Sequence, residues 1–231
     1  MEVFPLKQVI KQWRHIFKLD PAKTISDEAL EKVCESGTDA IIVGGTDHIT
    51  EESILDLLYR IRQYTVPCVL EISSLDGIVP GFDYYFVPTV LNSSDKKWVT
   101  DIHHEALKTY RSMVNWDEVF VEGYVILNEK SKAYQKTNCT LPNEDDVVTY
   151  AIMAEQMFRM PIFYIEYSGV YGDPQIVKKA SSELQETTLI YGGGIETEEQ
   201  AREMAAYADI IVVGNSIYTN LKEALKTVRI K

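Results

Sequence analysis

Long apolar runs are missing from this chain. No stretch approaches the roughly 18 consecutive apolar residues of a membrane-crossing helix. The first residues, Met1-Glu2-Val3-Phe4-Pro5, lack the basic region and apolar stretch of a secretion signal. A soluble chain is expected, compatible with no more than transient membrane contact. Cysteine is scarce: Cys34, Cys68 and Cys139 form no CxxC pair. That argues against a disulfide framework and a zinc site, and makes a reducing cytoplasm the simplest location. Positive charge is short as well, with 23 Lys and Arg against 35 Asp and Glu for a formal net charge of -12. No nucleic-acid partner is expected, because such binding relies on clustered Lys and Arg to replace phosphate counterions. Any anionic substrate must therefore meet local positive charge. Histidine offers no metal set: His103 and His104 are helical neighbours that face apart and read as solvated, while His15 and His48, placed near the expected mouth, are each alone and read as structural.

What the sequence does contain is an alternation of short β-branched or aromatic runs with longer amphipathic stretches. The strand candidates are residues 15–19, 40–43, 68–72, 84–88, 119–126, 162–166, 188–191 and 210–213. Eight such units predict an α/β fold, a TIM (β/α)8 barrel formed as a single domain over 1–231. Ser26-Asp27-Glu28, Thr50-Glu51-Glu52 and Thr197-Glu198-Glu199 each put a capping hydroxyl before acidic first-turn residues, and Asn143-Glu144-Asp145-Asp146 likewise reads as a helix start. The stripe Leu6, Val9, Ile10 and Trp13 predicts an N-terminal helix plugging the lower mouth. The third unit is irregular, since residues 73–83 hold Gly77, Pro80 and Gly81 and leave too little chain for a crossover helix. A loop or extended segment there would open the barrel's flank beside Phe82-Asp83-Tyr84-Tyr85-Phe86-Val87-Pro88. That aromatic run reads as strand core, as a groove for a long hydrocarbon, or as both.

Barrel chemistry sits at the C-terminal ends of the strands. In Tyr164-Ile165-Glu166-Tyr167-Ser168-Gly169, alternation puts Tyr164, Glu166 and Ser168 on one face and Ile165 and Tyr167 on the other. Lys18 and Asp20 share a face of the first strand and point into the upper mouth, either as a buried ion pair or as ligands to something bound there. Gly44-Gly45-Thr46-Asp47 is either a plain turn or a place where amides and the Thr46 hydroxyl help to hold a cation or phosphate. Tyr191-Gly192-Gly193-Gly194-Ile195 and Val213-Gly214-Asn215-Ser216 pair two glycine loops after strands seven and eight, where barrels frequently bind phosphate.

Together these motifs closely resemble the geranylgeranylglyceryl/heptaprenylglyceryl phosphate synthase family from end to end, and most of all its bacterial branch. The resemblance implies a magnesium-dependent prenyltransferase, homodimeric, that moves a long prenyl chain from its diphosphate to the C3 hydroxyl of sn-glycerol 1-phosphate. It implies that Asp20 and Thr46 bind magnesium, and that Lys18, Tyr164, Ile165, Glu166, Tyr167, Ser168, Gly169, Gly194, Gly214 and Asn215 hold glycerol phosphate. Glu166 is then the candidate general base, with Tyr164 orienting the glycerol or facing the allylic centre. Ala106 stands where archaeal members carry a bulkier stop, so it is expected to let a longer prenyl chain pass. Two other readings stay open: a sugar-phosphate isomerase or aldolase with a Schiff base on Lys18, and a non-catalytic phospholigand-binding module.

Overall fold

A computed structural model describes residues 9–230. Eight parallel strands form one closed barrel in chain order: β1 (His15–Leu19), β2 (Ala40–Val43), β3 (Cys68–Glu71), β4 (Tyr84–Val90), β5 (Val119–Ile126), β6 (Ile162–Glu166), β7 (Thr188–Gly192) and β8 (Ile210–Val213). β8 pairs back onto β1 with His15 opposite Ile211. The outer segments are α1 (Asp27–Cys34), α2 (Glu51–Ile61), α3 (Asp101–Tyr110), α4 (Lys132–Lys136), α5 (Glu144–Ile152), α6 (Pro174–Ser181), α7 (Glu198–Ala205), α8 (Ser216–Thr219) and α9 (Leu221–Lys226). The expected strands agree with the observed ones to within two residues at their C-terminal ends. The caps are also where the sequence puts them. Ser26 accepts from the Ala29 amide, and Thr50, Asn143 and Thr197 each close a reciprocal capping box, worth about 1 kcal/mol apiece.

Strand alternation divides the apolar residues into two layers. Ile16, Ile42, Val69, Phe86, Phe120 and Tyr164 fill the barrel. Phe17, Ile41, Leu70, Phe163 and Ile165 face the surrounding helices. The predicted N-terminal helix begins at Leu6, outside the described residues, and its described part is one 3-10 turn, Ile10–Gln12. That turn ends because Trp13 is extended. Ile10 and Trp13 are nonetheless buried against the interior cluster, so the lower mouth is plugged from this side.

Acidic residues pin the lower rim. Asp39 Oδ2 accepts from the amides of Arg14 (2.7 Å) and His15 (3.0 Å), Asp83 Oδ2 from Cys68 (2.7 Å), and Asp209 Oδ2 from Leu189 (2.8 Å). Each aspartate stands just before one strand and caps the start of the preceding one. α5 runs on into a π-helical turn, Met153–Phe158, ended by the left-handed Arg159. This wider turn carries Glu155 inward, where it accepts from the amides of Gln185, Glu186 and Thr187. Burial pushes the Glu155 carboxyl up, but those amides outweigh it and hold it below the usual range. His15 also belongs to this end, not to the mouth, with its ring between the Thr38 and Thr227 hydroxyls, 2.9 Å from each.

The third unit contains a 3-10 turn, Leu75–Gly77, and no α-helix. α3, the next helix, has no buried residue. Between these segments the flank opens, and the aromatic strand serves both of its expected uses on alternate faces. Phe86 fills the barrel, while Tyr85 and Val87 line an external groove. His103 is not solvated. It is half-buried, with Nε2 3.1 Å from the Pro88 carbonyl, and burial lowers its pKa. Among the described residues no helix is long and apolar enough to cross a membrane, and all three cysteines are free.

Candidate active site

Lys18, Glu71, Glu122, Tyr124, Tyr164 and Glu166 converge at the upper end of the barrel. Lys18 and Asp20 do not pair with each other. The Lys18 ammonium lies 2.5 Å from Glu71 Oε2, at the end of β3. Asp20 instead accepts from the Ala22 amide at 3.0 Å and faces the loop after β2. That loop needs its glycines, because a Cβ on Gly45 would fall 2.6 Å from Asp20 Oδ1, and one on Gly44 would fall 3.0 Å from Glu71 Cβ. Gly44 and Gly45 therefore thread between the two acids.

Glu166, the last residue of β6, is 8% exposed. Its Oε2 accepts from the Tyr124 hydroxyl at 3.0 Å, and its Oε1 from the amide of Ser168. Ser168 adopts a left-handed backbone, φ 41°, a strain of order 1–3 kcal/mol for a non-glycine residue. The Tyr124 ring lies against Tyr164, centroids 4.6 Å apart. The Tyr164 hydroxyl is buried without a partner and stands over Gly192, where a Cβ would come within 2.3 Å of it. Ile165 is fully buried among the outer-layer residues and Tyr167 packs by Tyr191, so neither side chain faces the mouth.

Three carboxylates share this space with Lys18. Burial, with Glu71 next, pushes Glu122 well above the usual carboxylate range, and neither of its oxygens has a hydrogen-bond partner. Burial also raises Glu166, against the opposing pull of Lys18, the Ser168 amide and Tyr124. Burial lowers Lys18, but Glu71 and the other carboxylates more than reverse this, so its ammonium is held charged. Burial and the Glu166 charge push both Tyr124 and Tyr164 well up, keeping their hydroxyls protonated.

The two glycine loops differ. Cβ atoms on Gly193 and Gly194 would come within 2.5 Å of Tyr167 Cβ and 2.1 Å of the Tyr171 amide nitrogen, so the loop after β6 packs directly on the loop after β7. Both glycines also have positive φ. At Gly214 the nearest atom would be the Lys18 carbonyl at 3.5 Å, which leaves room above it. Asn215 sits beside Gly169 and accepts from Lys23 Nζ at 2.9 Å. Ser216, next in the chain, keeps a buried hydroxyl without a partner.

From this polar mouth a groove of about 540 Å³ runs out along the open flank to Trp116. Ala106 lines it from α3 beside Ile102 and Leu107. Lys18, Thr46, Lys136 and Glu166 stand at its head. Among the described residues no three His, Cys, Asp or Glu side chains cluster to hold a metal. Asp20 and Thr46 nevertheless fit magnesium, which keeps several waters and takes only one or two protein oxygens besides substrate phosphate. The missing Cβ at Gly45 keeps the space beside the Asp20 carboxylate open.

Alternation within β6 places Tyr164 and Glu166, but Glu71, Glu122 and Tyr124 lie outside the motifs at the strand ends. A glutamate closing an apolar strand was available at Cys68-Val69-Leu70-Glu71, and another lay inside Val119-Phe120-Val121-Glu122-Gly123-Tyr124.

A closed parallel barrel with ionisable groups at the strand ends and an apolar groove leading from them belongs to the class of (β/α)8-barrel enzymes. The PcrB family model matches residues 8–230, and the chain belongs to that family. Heptaprenylglyceryl phosphate synthase of Geobacillus sp. (strain WCH70) is 62% identical over 221 residues, 95% of this chain and 97% of the relative. The enzyme of that name from Oceanobacillus iheyensis is 63% identical over 220 residues, covering 95% and 96%. Among solved structures, (S)-3-O-geranylgeranylglyceryl phosphate synthase from Thermoplasma acidophilum, in complex with sn-glycerol-1-phosphate, superposes with a TM-score of 0.84 at 25% identity, covering 99% of this chain and 97% of that one. A tryptophan synthase structure from Mycobacterium tuberculosis, TM-score 0.58 at 16% identity over 99% of this chain and 95% of that one, shares the fold alone.

Proposed function

We propose that this chain transfers a heptaprenyl group from heptaprenyl diphosphate to the C3 hydroxyl of sn-glycerol 1-phosphate, making an ether and releasing diphosphate. The observation that carries this reading is the junction at Glu166, where a buried carboxylate stands between the loops beside Gly214 and the head of a long apolar groove. The names of the relatives and the ligand of the Thermoplasma structure support the same pair of substrates.

Glycerol phosphate would lie with its phosphate toward Gly214, Asn215 and the helix starts beyond β7 and β8. Lys18, Ser168 and the backbone around Gly169 and Gly194 would hold the rest of it. Its C3 hydroxyl would then face Glu166, whose Oε2 already accepts from Tyr124. As the oxygen–carbon bond forms at the allylic C1, the carbon–oxygen bond to diphosphate breaks and diphosphate leaves with the electron pair. Glu166 takes the hydroxyl proton, a task that suits a carboxyl that burial makes more basic than an ordinary one. The faces of Tyr124 and Tyr164 are available to an allylic carbon developing positive charge. Asp20 and Thr46 would hold magnesium, which supplies charge neutralisation for the departing diphosphate. The prenyl tail would lie in the groove past Ala106.

The aldolase alternative needs a neutral Lys18 amine. The ion pair with Glu71 opposes that. A cytoplasmic homodimer completes the proposal, with exposed Ile152, Met157 and Phe158 as apolar surface for the second copy. The groove end at Trp116 offers a transient contact with membrane, where the donor would dissolve. The test is to offer labelled sn-glycerol 1-phosphate with a ladder of prenyl diphosphates, with and without magnesium, to the wild type and to Ala106→Trp. Magnesium-dependent heptaprenyl ether is expected from the wild type and a shorter preferred donor from the variant. No ether from any donor would sink the function, and an unchanged preference would remove Ala106 as a ruler. Light scattering of the same samples reads the dimer.

A further inference from the structure

The mouth is poorly charged for the donor it would receive. Lys18 is bound to Glu71, and Glu122 and Glu166 add further carboxylates around it. A prenyl diphosphate arriving at the head of the groove therefore needs cations from elsewhere. Lys136 is the other lysine lining the groove, and its Nζ donates to the neutral Thr46 carbonyl at 2.6 Å, with the Asp47 charge nearby but engaged directly by Lys132. Lys132 lies one turn earlier on the same face of α4, 2.9 Å from Asp47 in the same loop.

α4 is firmly held. Ser131 caps it by accepting from the Tyr134 amide at 3.1 Å, and Thr137 Oγ1 donates to the Ala133 carbonyl at 2.7 Å. Just beyond it, Asn92 at the end of β4 donates to the Thr140 carbonyl at 3.0 Å and to the Ile126 carbonyl at 2.9 Å. The two lysines are thus presented from across the barrel onto the loop that carries Thr46, beside Asp20. We infer that Lys132 and Lys136 form the diphosphate subsite for the prenyl donor, separate from the glycerol-phosphate cradle of Gly214 and Asn215. In this arrangement Lys132 exchanges Asp47 for a diphosphate oxygen, and Lys136 reaches a second oxygen from the groove wall. The subsite binds and orients the leaving group, and no bond is made or broken on the lysines.

This inference rests on the donor being a prenyl diphosphate, so its test separates the two. Inorganic diphosphate is titrated calorimetrically, with magnesium, into the wild type, Lys132→Gln, Lys136→Gln and the double variant. The wild type is run in parallel with prenyl donor, and its turnover alone decides the transferase reading. Each single change is expected to weaken diphosphate binding about tenfold, the cost of one charge-assisted hydrogen bond. The double variant should weaken it further and raise the KM for prenyl diphosphate, while the KM for glycerol phosphate stays within about twofold. Lys136→Arg should retain binding, and Lys32→Gln, which removes the same charge from α1, should leave it unchanged. Equal diphosphate affinity in the wild type and the double variant would overturn the inference. So would full recovery of affinity at saturating magnesium, since the lysines would then act only by steadying the Thr46 loop.

Discussion

At the lower rim Asp39, Asp83, Asp209 and Glu155 each accept from backbone amides, whereas at the upper mouth Glu71, Glu122 and Glu166 crowd around one lysine and leave three of their six oxygens unpartnered. The same residue types serve opposite ends. Below, an acid satisfies amides that would otherwise be orphaned at the strand starts, which is a contribution to folding. Above, acids are buried with too little compensation, a cost that a fold tolerates where chemistry requires it. The barrel is thus stabilised at one end and primed at the other.

The comparison breaks most visibly at Glu166. Glu166→Gln should lower kcat by about 10² to 10⁴, the usual range for a positioned base, while the KM for glycerol phosphate moves within about threefold. The wild-type rate should rise with pH through a value above the ordinary carboxylate 4.5, because burial raises Glu166, and the variant should lose that limb. Equal losses in turnover and in glycerol-phosphate binding would make Glu166 a binding residue instead. Asp209→Ala should act in the opposite sense, leaving the buried Leu189 amide unpaired for about 1–3 kcal/mol of stability, with the activity of folded molecules retained. Thermal melts paired with active-site titration check it, and lost activity without lost stability would contradict the division of labour.

Glu122→Gln should give the smallest change, and a favourable one. Because the folded-state pKa of Glu122 is raised, its stability contribution is fully present below the unfolded value near 4.5 and is lost as pH climbs toward the folded one. The variant should therefore melt increasingly above the wild type as pH rises past that point. A gain of about 2–4 °C corresponds to roughly 1 kcal/mol in a chain of this size. A variant that melts lower at neutral pH would mean that Glu122 is partnered in solution.

The barrel was legible because each strand reads as a short apolar run and each helix start carries its own cap. Ser26, Thr50, Asn143 and Thr197 all cap as the sequence implied. Glu166 and Tyr164 were legible from alternation within one strand. Their partners were not, because the Lys18–Glu71 and Tyr124–Glu166 contacts join strands 53 and 42 residues apart, and ring closure sets which side chains meet. His15 was misplaced for a simpler reason: it opens β1, and a strand's first residue lies at the end opposite its chemistry. The aspartates before β2, β4 and β8 form a recurrent pattern in the sequence, yet their role appears only when the neighbouring strand start is in place.

The missing helix of the third unit gives the molecule a division between what makes it fold and what it can be asked to carry. The groove lies on the flank, against α3, a helix with no buried residue. On the proposed function, changes at Ala106 or its neighbours would therefore alter the preferred donor length without repacking the barrel's interior. The wall of the groove can thus be reshaped while the ring beneath it stays the same.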